Sequence, residues 1–267
     1  MSVFDPELAA RMKMPKELLD RASELHFAIH IGLNSVHAAL YDFGQSECPW
    51  HVHSELPPGI SAYTFIYQRN WLEGVFRRCT ITFDTDVHAL VPQSFFDAEA
   101  CQDYIRMQHG MSVEASGFIE LPESESVICY ELPEWHAGII RLFPNARIMP
   151  LGALLVRLAF SKSRNSETSL LAAISSASAT FVCLKKNALV LLATHEARSA
   201  EDVLYHLSNA AMRLQIDLAA ATVEVLNADS GNEGIQLMKQ YVREVNVLEV
   251  NPQMPSFPVT QLHYLCA

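Results

Sequence analysis

The alternation of apolar and polar residues along this chain changes period several times, and each change marks an element. Residues 26–32 and 35–42 are dense in apolar and β-branched positions and read as two strands joined at Gly32-Leu33-Asn34. A third strand follows at 50–56. Pro57-Pro58-Gly59 then breaks the chain, and Ser61 caps a helix running to about residue 76. A strand at 79–83, a helix capped by Asp97 and running to 107, and a strand at 127–130 come next. Pro133 opens a helix that Pro144 closes, followed by a strand at 147–150 and a helix at 151–160.

The same phrase then begins again. Strands at 169–175, 178–184 and 188–194 precede a helix that starts at Ser199, with Asp202 three residues on as a capping-box acid. Val203, Leu204, Leu207, Ala211 and Leu214 in that helix recur at the 3.6-residue period of one buried face. A strand at 222–226, a helix at 232–243 and a strand at 245–250 complete it. Each half therefore reads strand-strand-strand-helix-strand-helix, a mixed sheet with helices on its faces. On this reading 1–25 form a lead with a short amphipathic helix at 15–25. Residues 26–165 form the first lobe with extra α/β material, 166–250 form the second lobe, and 251–267 form an extended, proline-bearing tail that packs on its own protein or, as the second choice, offers a strand to a partner.

Composition narrows the class. Half of the 267 residues are hydrophobic and 18% are charged, ample for a core of this size and unlike a disordered chain. A formal net charge of −11 opposes binding nucleic acid or an anionic membrane through a broad basic surface. No apolar run approaches the ~20 residues of a membrane-spanning helix, and the first residues carry no signal-peptide pattern. Cys48, Cys79, Cys101, Cys129, Cys183 and Cys266 include no CxxC pair, so they read as reduced thiols of a cytoplasmic protein.

The doubled strand-turn-strand opening resembles the actin-like ATPase superfold of actin, sugar kinases and heat-shock chaperones. More narrowly, Leu90-Val91-Pro92-Gln93-Ser94-Phe95-Phe96-Asp97 and Ala200-Glu201-Asp202-Val203-Leu204-Tyr205-His206-Leu207 resemble an uncharacterised bacterial family of unknown function. That family has this fold and is distantly like the actin-like pilus-assembly ATPases. The resemblance covers about residues 25–250 and implies duplicated ribonuclease-H-like α/β domains, each led by three antiparallel strands. In that superfold each opening hairpin carries Asp-x-Gly, whose acids help hold magnesium and whose small residues let backbone N–H groups approach phosphate. Here the first slot reads His30-Ile31-Gly32 and the second Ala173-Ile174-Ser175, with Ser176, Ala177 and Ser178 beyond. Both acids are replaced. The loop that would cup adenosine falls at Asn227-Ala228-Asp229-Ser230-Gly231, with one glycine.

The chain thus reads as a pseudoenzyme with no catalytic residue assigned, acting as a cytoplasmic binding or scaffold module for a protein partner. The rival reading is a nucleotide-binding protein, or a kinase- or ATPase-like enzyme, with an atypical interlobe cleft. His30, Gly32, Asn34, Ser175, Ser176 and Ser178 would there touch phosphate, with Asp84 or Asp86 as an acid near the reaction. ATP with magnesium is the cofactor that rival would need, and no motif supports it. A small-molecule binder with an apolar cleft is a third reading. His51 and His53 share one face of a strand, but no set of three or four ligands has metal-site spacing, so no metal is assigned. Finally, Glu114, Glu120, Glu123, Glu125, Glu131 and Glu134 lie between Arg106 and Arg141 with no Lys or Arg among them, a stretch that reads as a solvated edge or a face for a basic partner.

Overall fold

The computed structural model describes residues 12–163, 167–175, 177–227 and 233–248, together with Thr260 and Leu262. Within them, thirteen strands form two five-stranded sheets and one three-stranded sheet. The first sheet contains β1 (His26–Ile31), β2 (Ser35–Asp42), β3 (Glu47–Glu55), β4 (Arg78–Phe83) and β8 (Arg147–Pro150), in the order β3-β2-β1-β4-β8. The second contains β9 (Thr168–Ile174), β10 (Ser178–Lys185), β11 (Ala188–Glu196), β12 (Thr222–Asn227) and β13 (Glu244–Val247), in the order β11-β10-β9-β12-β13. The two orders are the same when each set is read from its own first strand. A shared order of this kind is what duplication of one supersecondary plan produces.

Among the described residues these helices accompany the sheets: α1 (Lys16–Asp20), α2 (Ala62–Tyr67), α3 (Cys101–His109), α4 (His136–Leu142), α5 (Leu151–Lys162), α6 (Ala200–Arg213) and α7 (Glu233–Met238). In the second half the described strands and α-helices after β11 are α6, β12, α7 and β13. In the first half the corresponding run is α2, β4, α4 and β8, but the small sheet of β5 (His88–Pro92), β6 (Ser116–Leu121) and β7 (Ser126–Glu131), with α3, is inserted between β4 and α4. The described residues group into two compact units, one made of 12–82 and 133–148, the other of 83–132 and 149–248.

In the first unit β1 and β2 are buried at every position. Phe27 makes edge-on and tilted contacts with Trp71, Trp50, Phe76 and Phe143, so aromatic rings fill one side of the sheet. Trp71 is fully buried, and its indole N–H donates to the Met12 carbonyl at 2.9 Å. That burial explains one departure from the sequence reading. The helix expected from Ser61 to about 76 stops at Tyr67, and a 3-10 turn (Asn70–Glu73) swings Trp71 inward. Ser61 does cap α2, accepting the Thr64 N–H.

In the second unit β9, β10 and β12 face α6 and α7 through Leu170, Ala172, Phe181, Cys183, Val203, Leu207, Val223, Val225, Ile235 and Met238. The α6 capping box is present in both directions: Ser199 accepts the Asp202 N–H, and the Asp202 carboxylate accepts the Ser199 N–H. The inserted sheet packs α3 over Ala89, Val91 and Cys129 through Cys101 and Ile105. Its strands β5 and β6 went unread as strands in the sequence. Each is short, and Pro92 and Gly117 interrupt the β pattern. The proposed adenosine loop beyond Asn227 and the tail at 251–267, apart from Thr260 and Leu262, lie outside the described residues.

Removing the cap should show how much of α6 depends on it. Ser199→Ala is expected to cost about 1 kcal/mol, within the range for lost N-caps. Phe181→Ala, which empties the centre of the second core, is expected to cost about 3–5 kcal/mol. Urea unfolding of the two variants beside the parent measures both.

Candidate functional site

The two hairpin turns that the sequence marks as candidates close in the same way. Gly32 N–H donates to the Ser35 carbonyl at 2.9 Å, and Ser175 N–H donates to the Ser178 carbonyl at 2.8 Å. Each turn thus spans four residues, bringing an antiparallel pair back on itself.

In the first hairpin the position before Ile31 and Gly32 is His30, whose ring is buried and whose Nδ1 lies 3.1 Å from Thr82 Oγ1. Strand register sets His30 opposite His37 and His37 opposite His53, so three imidazoles form a row across β1, β2 and β3. The His37 and His53 rings stack with centroids 4.1 Å apart, and His30 and His37 are separated by 5.8 Å. Ser35 Oγ lies 3.4 Å from His37 Nε2. Burial, then the neighbouring rings of His30 and His53, push the His37 pKa down to about 2. His26, on the same strand as His30, is pushed down to about 4, by burial and then by Arg78. His26 and His37 are therefore neutral at physiological pH. Neither of these two rings brings the negative charge that holds magnesium or the positive charge that draws phosphate. Gly32 is not among the glycines with left-handed backbone, which in the described residues are Gly59 and Gly110. The Asn34 carbonyl accepts Leu56 N–H at 2.7 Å and ties the turn to the end of β3.

The second hairpin departs further from a phosphate cradle. Ser175 Oγ accepts the N–H groups of Ala177 at 3.4 Å and Ser178 at 3.0 Å. A turn whose backbone N–H groups converge on one point is an anion site when that point is empty. Here a side chain of the turn itself occupies it. Ser175 Oγ and Ser178 Oγ lie 2.9 Å apart, and Ser178 Oγ donates to Asp84 Oδ2 at 2.6 Å. Asp84 is buried and sits just beyond β4, so a carboxylate approaches the turn where a phosphate would need positive potential. Ser176 lies outside the described residues.

The candidates therefore fall into two groups: His30, Gly32 and Asn34 on the first turn, and Ser175 and Ser178 with Asp84 on the second. The tie between Ser178 and Asp84 was not read from sequence, because the two residues are far apart in the chain. The Ser-x-x-Ser spacing at 175–178 did carry a local signal, since serine hydroxyls bond N–H groups two and three residues ahead in turns. The His53 ring stacks on that of His37, and stacked parallel rings do not aim their nitrogens at one ion. Among the described residues no group of three His, Cys, Asp or Glu side chains has metal-holding geometry. Burial raises the Cys79 thiol to about 12 and the Cys183 thiol to about 11, far from the range of a reactive nucleophile. A cavity of about 380 Å³ in the second unit is lined by Glu167, Lys185, Asp217, Thr222 and Arg243, at the end of β9 and β10 away from the Ser175 turn.

A protein-family model described as "Protein of unknown function (DUF3822)" matches residues 20–245. The chain belongs to that family. No curated protein sequence matches this DUF3822 member. Among solved structures, it is similar to a Bacteroides thetaiotaomicron protein described as having an actin-like ATPase fold and unknown function. The two share 15% identity over 93% of this chain and 98% of that one, with a TM-score of 0.79. It is also similar to the PilM–PilN type IV pilus biogenesis complex, with 14% identity, coverage of 90% and 98%, and a TM-score of 0.54. The DUF3822 chain thus has the actin-like ATPase fold: duplicated α/β domains, each opened by three antiparallel strands. No helix among its described residues is long and apolar enough to cross a membrane.

The histidine row gives a pH dependence whose sign follows from burial. An unfolded histidine titrates near 6.5, so below that pH the unfolded chain binds protons that His37 and His26 in the fold refuse. Their contribution to stability is complete above pH 6.5. It falls as the pH drops towards about 4 for His26 and about 2 for His37. Each histidine should contribute a slope of about 1.4 kcal/mol per pH unit in that window. Urea unfolding from pH 7.5 to 4.5 should show the loss, and His37→Phe should flatten the slope by about one proton.

Proposed function

We propose that this DUF3822 protein is a non-catalytic member of the actin-like fold that works as a binding or scaffold module for another protein. The observation that carries the reading is the self-filled second turn. Ser175 Oγ holds the N–H groups of Ala177 and Ser178, and Asp84 takes the Ser178 hydroxyl. A nucleotide phosphate entering there would have to displace Ser175 and approach a buried carboxylate, two costs with the same sign. The first turn lacks an acid to offset them, because its acid slot holds a buried His30 that bonds to Thr82. A fold kept without these parts is a fold kept for its surfaces. The PilM structure, a complex with PilN, is a protein of similar fold engaged with a protein partner.

One observation favours a second reading. Asp84 sits beside the Ser178 hydroxyl, and a carboxylate there is able to hold a cation or accept a proton even though the hairpin acid is gone. On that reading the protein binds a nucleotide through Asp84 rather than through either turn.

Thermal unfolding separates the two. A nucleotide at about a hundred times its Kd adds roughly 2.7 kcal/mol, a rise of about 5–10 °C for a chain of this size. With millimolar Mg-ATP, Mg-ADP or Mg-GTP we expect no rise and no phosphate release. A rise that Asp84→Asn removes would replace the scaffold reading with the nucleotide one.

A further inference from the structure

The inserted segment 83–132 holds ten carboxylates: Asp84, Asp86, Asp97, Glu99, Asp103, Glu114, Glu120, Glu123, Glu125 and Glu131. Against them stands one cation, Arg106, so this segment carries nine of the eleven net negative charges of the whole chain. Arg106 is itself engaged by Asp103 at 2.7 Å. The insertion is also where the described structure ends a sheet on an exposed edge. The small sheet runs β5-β7-β6, and β6 is paired on one side with β7 alone.

Register shows which backbone groups face outward. Leu132 N–H donates to the Ala115 carbonyl, which makes that opposed pair a hydrogen-bonded one. Antiparallel pairs alternate between bonded and non-bonded. Gly117, Ile119 and Leu121 therefore turn their N–H and C=O groups towards β7, and those of Ser116, Phe118 and Glu120 point away from the sheet. Among the described residues no backbone group is bonded to that outer side of β6. Phe118 stands on this edge 45% exposed, its ring 5.0 Å from that of Phe96, with Phe95 75% exposed next to it in sequence. Glu114 and Glu120, both exposed, flank it.

We propose that the outer edge of β6 is a docking site for an extended, Lys/Arg-rich segment of another protein, which pairs as an added strand and sets an apolar side chain against Phe118 and Phe96. This deepens the scaffold reading and rests on it. The backbone supplies the pairing, as in other strand-addition interfaces, and the flanking carboxylates select the charge. The same charges argue against the other occupants. A second copy docked edge to edge would oppose Glu114 and Glu120 to themselves. The chain's own residues 251–267 contain no Lys or Arg. Natural sheets protect long edges with lysine or proline. This edge carries neither, and its charges are of the sign that a basic strand would seek.

A fluorescent octapeptide of alternating Lys and Val serves as the probe. Its controls are the same peptide with a central Val replaced by Pro, and a Glu-Val peptide. Phe118→Pro is the informative variant, because the Phe118 N–H faces outward and its loss leaves the β6–β7 ladder intact. We expect the Lys-Val peptide to bind at least about tenfold tighter than either control, and to slow amide exchange at Phe118 and Glu120. Phe118→Pro and the charge-reversed Glu114→Lys/Glu120→Lys double variant should each weaken it by about tenfold, with unchanged melting temperatures. The site is overturned if the Pro-interrupted peptide binds equally well, since that is attraction to bulk charge. It is also overturned if Phe118→Pro binds like the parent, or if light scattering shows a dimer that Phe118→Pro dissolves, which would make a second copy the occupant. Failure of these arms with no nucleotide-induced melting shift removes the β6 site and leaves the scaffold reading. A nucleotide shift removes the scaffold reading whatever the peptide does.

Discussion

Complete burial of β1 and β2 is the constraint on which the first unit depends. A strand covered on both faces must satisfy every side chain from within, so each polar residue on it needs a partner or must stay neutral. His26, His30 and His37 meet that demand through Thr80, Thr82 and Ser35. The same burial keeps His26 and His37 uncharged. An aspartate at position 30 would sit in the same buried place and would need a cation to justify its charge. Here a hydroxyl suffices.

The second unit satisfies its turn by a different route. Its leading strands are also buried, but the turn between them is serine-rich, and the hydroxyl of Ser175 takes up the N–H groups that the turn would otherwise present outward. Such local side-chain bonds compete with an external ligand for the same donors. Ser178 then couples the turn to Asp84, so the hairpin is held by its neighbours on the same unit. Both turns close through the same backbone hydrogen bond, from the first residue of the turn to the fourth.

Charge is divided unevenly along the chain, and the division follows the fold. The duplicated sheets and their helices are close to neutral, whereas the insertion between β4 and α4 carries most of the net negative charge. A packed core constrains the duplicated elements, since their strands are enclosed. The insertion packs α3 on one face of its sheet and is tied to the second sheet through Asp84 and His88, while Phe118 and Glu120 on β6 stay exposed. Surface potential acts over about one Debye length, roughly 8 Å at physiological salt. Carboxylates gathered on so small a module therefore act together on whatever approaches it.

Local order was legible from residue pattern alone wherever one element dictates its own signal. The hairpins at 26–42 and 168–185, the α6 capping box at Ser199 and Asp202, and the repeated element order depend on side-chain period and on residues three or four apart. Those relations survive in any tertiary context. The candidate turns were found in the same way, from Gly32 and from Ser175 to Ser178. What they do was decided by partners distant in sequence. Trp71 cut short the helix after Ser61 by turning into the core, Thr82 and His53 set the state of the histidine row, and Asp84 met Ser178 across more than ninety residues. The outward face of β6 followed from its pairing with β7, which no local period reveals. Local sequence specifies backbone conformation because neighbouring atoms restrict φ and ψ directly. Protonation, satisfaction of donors and exposure depend on which distant groups exclude water, and only the packed chain sets that.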